Sequence, residues 1–146
     1  AVPLLEERGC SVDVWSVTSF NELQRDGLAC ERWNRLHPEA PPRSPYLCQV
    51  LAGESGAFVA VSDYMRVYAG AIAPWVPGEF SALGTDGYGV SDTREALRRY
   101  FEVDPPHIVL AALDGLRRGG AATSAEMAAV IRDFGIDADA PAAAER

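Results

Sequence analysis

Three carboxylates and three glycines crowd into Gly84-Thr85-Asp86-Gly87-Tyr88-Gly89-Val90-Ser91-Asp92-Thr93-Arg94-Glu95. Asp86, Asp92 and Glu95 are residue types that work as general acid and base or hold a hard cation. The Gly84-x-x-Gly87-x-Gly89 spacing could instead cradle a phosphate on backbone N–H groups ahead of a helix. Local structure accounts for most of the pattern. Asp92, with Glu95 three residues on, reads as a capping box that satisfies the first helical N–H groups and repels an anion. Asp86 is then a lone carboxylate, and the loop reads first as a tight turn plus cap. What remains is contact. Gly84, Thr85, Asp86, Gly87, Tyr88, Gly89 and Arg94 are the residues expected to meet a substrate channel or a partner subunit.

The other chemical candidates are thinner. His37 sits beside a proline, His107 in the first turn of a helix, and neither has a Cys or His close enough in sequence for a metal site. Hydrogen bonding at a surface or domain interface suits both better than catalysis, because a base needs a positioned nucleophile. Cys10, Cys30 and Cys48 are odd in number and widely spaced, which predicts small buried thiols rather than zinc ligands or disulfides. All 13 cations are arginine, so lysine chemistry is absent from this chain. Arg94, Arg98 and Arg99 would share one helix face, solvated or paired with acidic groups elsewhere. Trp15, Trp33 and Trp75 read as packing anchors, and exposure of any one would mark a covered interface.

Periodicity places these residues on alternating strands and helices. Ser11–Val17, Ala57–Val61 and Phe80–Leu83 read as strands, the second buried on both faces. Ser19 with Glu22 opens a helix in which Gly27 predicts a bend or break. His37 to Pro45 is a loop, and a short helix follows from Tyr46 to Leu51. Asp63 begins a helix with Met65, Tyr68, Ala69 and Ile72 on its apolar face. Asp104 caps a helix that closes at Gly119-Gly120, and Thr123 with Glu126 boxes the next, which stops at Gly135. The expected fold is α/β: three layers, a mostly parallel sheet with helices on both faces, and the first strand missing. Leu4-Leu5-Glu6-Glu7 reads as the end of a helix, so the chain is expected to start inside a domain. Residues 1–137 form that domain and 138–146 a frayed tail.

At 146 residues and 48% apolar content, the chain can bury a core without crosslinks. A net charge of −8 argues against nucleic acid and anionic membranes as partners, since such a surface repels phosphate. No apolar run reaches spanning length and no signal peptide pattern opens the chain.

Several blocks are distinctive as wording: Asp13-Val14-Trp15-Ser16-Val17-Thr18-Ser19-Phe20-Asn21-Glu22-Leu23, Cys30-Glu31-Arg32-Trp33-Asn34-Arg35-Leu36-His37-Pro38, Ser62-Asp63-Tyr64-Met65, the glycine loop, and Phe101-Glu102-Val103-Asp104. Together they resemble the C-terminal, transketolase-like domain of the homodimeric bacterial pyruvate dehydrogenase decarboxylating component. The likeness is collinear from Leu4 to Asp139, departing at Gly9-Cys10 and at Arg118 to Ala122. It implies a bacterial, cytoplasmic parent enzyme that decarboxylates pyruvate on thiamine diphosphate with magnesium. That parent passes the two-carbon unit to the lipoyl group of a partner acetyltransferase. The family holds its cofactor with a Gly-Asp-Gly block and a later asparagine. This chain has only Thr85-Asp86-Gly87, and its two asparagines, Asn21 and Asn34, both precede it. The resemblance therefore implies no catalytic, cofactor-binding or metal residues here. It implies a lobe that packs on the rest of its chain and on a homodimer partner and is inactive alone. An independent protein-interaction module, or the same domain of another 2-oxo acid dehydrogenase, would present the same residues.

Overall fold

The computed structural model describes residues 1–145. Its centre is a parallel pair, β1 (Ala57–Val61) and β2 (Glu79–Leu83), in register from Ala57 opposite Glu79 to Val61 opposite Leu83. Side chains alternate across this sheet, so Phe58, Ala60, Phe80 and Ala82 share one face and Ala57, Val59, Glu79 and Ser81 the other.

Each face has its own core. On the first, Phe58 and Phe80 pack with Leu47 and Leu51 and with Ile72 and Trp75. These come from the region of α3 (Tyr46–Val50) and from the crossover containing α4 (Arg66–Gly70), with α2 (Phe20–Leu36) closing over them. On the second, Val59 meets Val109, Ala112 and Leu113 of α6 (Pro105–Arg118), backed by Val130 of α7 (Ser124–Asp133) and Leu5 of α1 (Val2–Glu6). Gly115 lets α6 lie directly on β1: a Cβ there would stand 2.7 Å from the Ala57 Cβ. The remaining helix is α5 (Arg94–Tyr100). Helices on both faces of a parallel sheet make three layers, as expected. None of the helices is long and apolar enough to cross a membrane among the described residues.

Local signals held where they were self-contained. The Ser19 hydroxyl accepts the Glu22 N–H at 3.2 Å, Asp104 accepts the His107 N–H, and Thr123 and Glu126 form a reciprocal box. Hydrogen bonds from the Thr123 hydroxyl and then its N–H hold the Glu126 carboxyl below its ordinary value.

Three expectations are corrected. Ser11–Val17 is not a strand; among the described residues no backbone partner pairs with it, and Val14, Trp15 and Val17 are exposed. Valine and tryptophan supply propensity, but a strand exists only as half of a ladder. Gly27 does not break α2, which runs without interruption to Leu36. The glycine is there for space, because a Cβ would penetrate the Trp75 ring. Gly27→Ala should therefore destabilise by about 1–2 kcal/mol, overpacking outweighing the gain in helix propensity. A thermal melt at or above wild type would refute this. Third, Asp63 does not begin α4. The Ser62 hydroxyl accepts the Tyr64 N–H, holding Asp63–Met65 in a turn, and Met65 and Tyr68 face solvent.

Arginine ties α6 to the sheet. Arg118 reaches Glu79 at 2.8 Å, Asp114 at 3.2 Å and the Ser81 hydroxyl at 3.2 Å. A hydrogen bond from Arg117 leads the effects that hold the Asp114 carboxyl below its ordinary value, with Arg118 adding to it. A depressed folded value means Asp114 contributes stability above the unfolded carboxylate value of about 3.9 and loses it as pH falls through the lower folded one. The melting difference between wild type and Asp114→Asn should therefore be largest at neutral pH and vanish in strong acid. A pH-independent difference would contradict the ion-pair account.

Candidate functional site

The glycine loop leaves β2 at the carboxyl end of the sheet, where β1 also delivers the turn Ser62–Met65. The two are laced together. Thr85 donates its N–H to the Tyr64 carbonyl at 2.9 Å and its hydroxyl to the Asp63 carbonyl at 2.6 Å. Asp86 accepts the Arg66 N–H at 2.9 Å through Oδ1 and pairs its Oδ2 with Arg66 Nε at 3.1 Å. Gly84 lies flat on the same turn, where a Cβ would come within 2.5 Å of Arg66 N and Tyr64 O. Beyond this knot Gly87 takes a positive φ of 93°, Tyr88 is 89% exposed, and a Cβ on Gly89 would meet nothing within 4 Å. Arg94, exposed in the first turn of α5, makes no ion pair among the described residues.

This arrangement changes the roles assigned to the acids. The cap of α5 is Thr93, whose hydroxyl accepts the Ala96 N–H, while Asp92 accepts the N–H of Thr93 one residue earlier. The Asp92–Glu95 capping box is therefore not formed as expected. Asp86, the carboxylate that seemed partnerless, is the one most fully engaged. It caps the crossover helix from a different loop, a contact that spans 20 residues and leaves no local mark in sequence.

Thiamine diphosphate and its magnesium do not fit these residues. Both Asp86 oxygens are committed to Arg66, and the Asn34 side chain both accepts the Arg43 N–H and donates to the Arg43 carbonyl. Asn21 is exposed in the first turn of α2, and no cluster of three or more His, Cys, Asp or Glu side chains is poised for a metal among the described residues. No chemical step is assigned to the cofactor in this chain.

The histidines and cysteines fall into structural roles. His107 donates from Nδ1 to the Asp104 carboxylate, which also meets Arg99 Nη1 at 3.4 Å. Arg99 turns inward to give hydrogen bonds to the Phe134 and Gly135 carbonyls at 3.0 and 2.7 Å, so it does not join Arg94 and Arg98 on an outer face. His37 stacks on Trp33 at 4.5 Å, and Arg43 lies over the same indole at 4.2 Å. Cys30 is buried, Cys10 and Cys48 half-buried, and all three are free thiols. Burial, then the Asp26 carboxylate, pushes the Cys30 thiol up, away from a reactive thiolate.

Beside the knot runs an open groove along β2, floored by Ser81, Ala82 and Leu83 and walled by Arg66, Val67, Gly70 and Ala111. Val67 lines it, and with Tyr64, Met65 and Tyr68 it makes an exposed apolar segment in which Tyr64 and Tyr68 meet edge to face at 6.0 Å. Charged groups in the groove neutralise one another, Arg66 with Asp86 and Asp114 with the α6 arginines.

The fold is a three-layer α/β lobe whose strand-end loops are fastened to each other. The chain belongs to the transketolase-like TK C-terminal domain family, whose model matches residues 1–104. Its relatives carry the name pyruvate dehydrogenase E1 component: it is 50% identical to that of Pseudomonas aeruginosa over 92% of this chain. It is 47% identical to the Escherichia coli K12 protein over 93%, and 45% identical to that of Mycobacterium tuberculosis over 98%. The chain spans about 15% of the length of each of these relatives.

Proposed function

We propose that this chain is a non-catalytic interface lobe of a bacterial pyruvate dehydrogenase E1 component. In this reading the parent protein decarboxylates pyruvate on thiamine diphosphate and magnesium held by its other domains. It then acetylates the lipoyl group of a partner acetyltransferase in the cytoplasm. This lobe packs against those domains and against a homodimer partner. The observation that carries the reading is the apolar strip Tyr64-Met65-Val67-Tyr68 beside the loop bearing Tyr88, where Arg66 and Asp86 pair with each other. Buried contact is what such a surface does, because clustered exposed aromatics mark interfaces rather than chemistry. Trp15, half exposed in Ser11–Val17, adds a second patch of the same kind.

Two measurements test it. The purified chain, given pyruvate, thiamine diphosphate and magnesium, should release no carbon dioxide; release above the protein-free control overturns the non-catalytic part. Tyr64→Glu with Tyr68→Glu, placed in an E1 component carrying this lobe, should weaken subunit assembly in sedimentation. Unaltered assembly overturns the interface.

A further inference from the structure

The glycine loop already has an occupant. At Gly87, an added Cβ would stand 2.9 Å from the Ala143 carbonyl oxygen and 3.0 Å from the Ala144 Cα. The contact is backbone against backbone, which the missing Cβ of Gly87 permits. The segment that reaches it is shaped, not extended. Asp137 accepts N–H groups from Asp139 and Ala140, and Glu145 donates its N–H to the Ala142 carbonyl to close a short turn over Ala143–Glu145. Ala143 is half-buried while Ala142 and Ala144 are exposed, so one alanine is pressed onto the loop. Next to it the loop holds Tyr88 out in solvent.

We propose that residues 138–145 are a strap that seats on Gly87 and fixes the loop in its observed shape. The device goes beyond the interface reading and stands whether or not the parent is an E1 component. Its logic is that of a local opening equilibrium, in which one contact sets how often the loop is free. Fastening at the Asp86 end is separate, through Arg66, so releasing the strap frees Gly87–Gly89 without unlacing Gly84–Asp86.

Chymotryptic cleavage after Tyr88, read by mass spectrometry on four chains, tests this: wild type, Gly87→Ala, a chain ending at Asp137, and the two changes combined. Removing residues 138–146 should speed cleavage at that bond by about tenfold, because the protease cuts only a loop that opens locally, while the core helix around Val109–Leu113 stays intact. Gly87→Ala should accelerate this cleavage about tenfold more in the full chain than in the shortened one, because the methyl clashes with the strap only when the strap is present. A positive φ alone would make the substitution act equally in both chains, and that equality overturns the proposal. So does unchanged cleavage on shortening. Glu145→Pro in the full-length chain deletes the N–H that closes the strap's turn and lies outside the core. It should reproduce the faster cleavage, and failure to do so counts equally against the strap.

Discussion

Gly84→Ala is expected to lower the melting temperature by roughly 6–12 °C, the equivalent of about 3 kcal/mol in a chain of this size. The added methyl would sit 2.5 Å from Arg66 N and Tyr64 O and 2.7 Å from Arg66 Cα. Those are backbone atoms and have no rotamer to change. The loop must lift instead, and lifting stretches the Thr85 bonds to Asp63 and Tyr64 and the Arg66 bond to Asp86. Each such bond is worth about 1 kcal/mol net, so their joint loss accounts for the size of the effect. The control lies in the same motif. Gly89→Ala meets nothing within 4 Å and should melt within about 0.5 kcal/mol of wild type. Equal melting of the two variants would show that the loop is not laced to the turn.

Asp104→Ala should cost about 3 kcal/mol, read as a lowered urea midpoint. Asp104 is the buried charged residue at the junction of three helices. It caps α6 through the His107 N–H, receives the His107 ring, and faces Arg99, whose other hydrogen bonds hold the end of α7. Truncation removes the cap and leaves an arginine and an imidazole facing a void that cannot satisfy them. Asp104→Asn keeps an oxygen for the helix N–H and should lose clearly less. If both variants unfold together within about 1 kcal/mol of wild type, the junction does not stabilise the fold as argued.

These effects divide along the line between short and long sequence separation. The helix from Asp104 and the one from Thr123 were legible because cap and capped N–H lie three residues apart. β1 and β2 were legible because short apolar runs between turn signals suit a strand covered on both sides. The α5 cap was missed by one residue, since Asp92 and Thr93 are both good caps and the choice depends on how the loop arrives. Arg99 looked like one of three surface arginines; its partners at Phe134 and Gly135 lie 35 and 36 residues away. Met65, Tyr68, Ala69 and Ile72 were read as one apolar helix face; Ala69 and Ile72 are buried, but Met65 and Tyr68 are exposed. Periodicity cannot reveal that Asp86 and Thr85 hold this segment out as a turn.

By itself, then, the amino-acid order determined the layer type, the helix boundaries that carry their own caps, and a kinship legible in long uncommon blocks. Only the folded chain decided that Ser11–Val17 stays unpaired, that Gly27 exists for the Trp75 ring, and that Asp86 is a fastener rather than an acid. Caps and periodicity act within a turn or two, where residue type alone sets the energy. Ladder pairing, close backbone approach and buried ion pairs take theirs from groups that meet only after the chain has closed long loops.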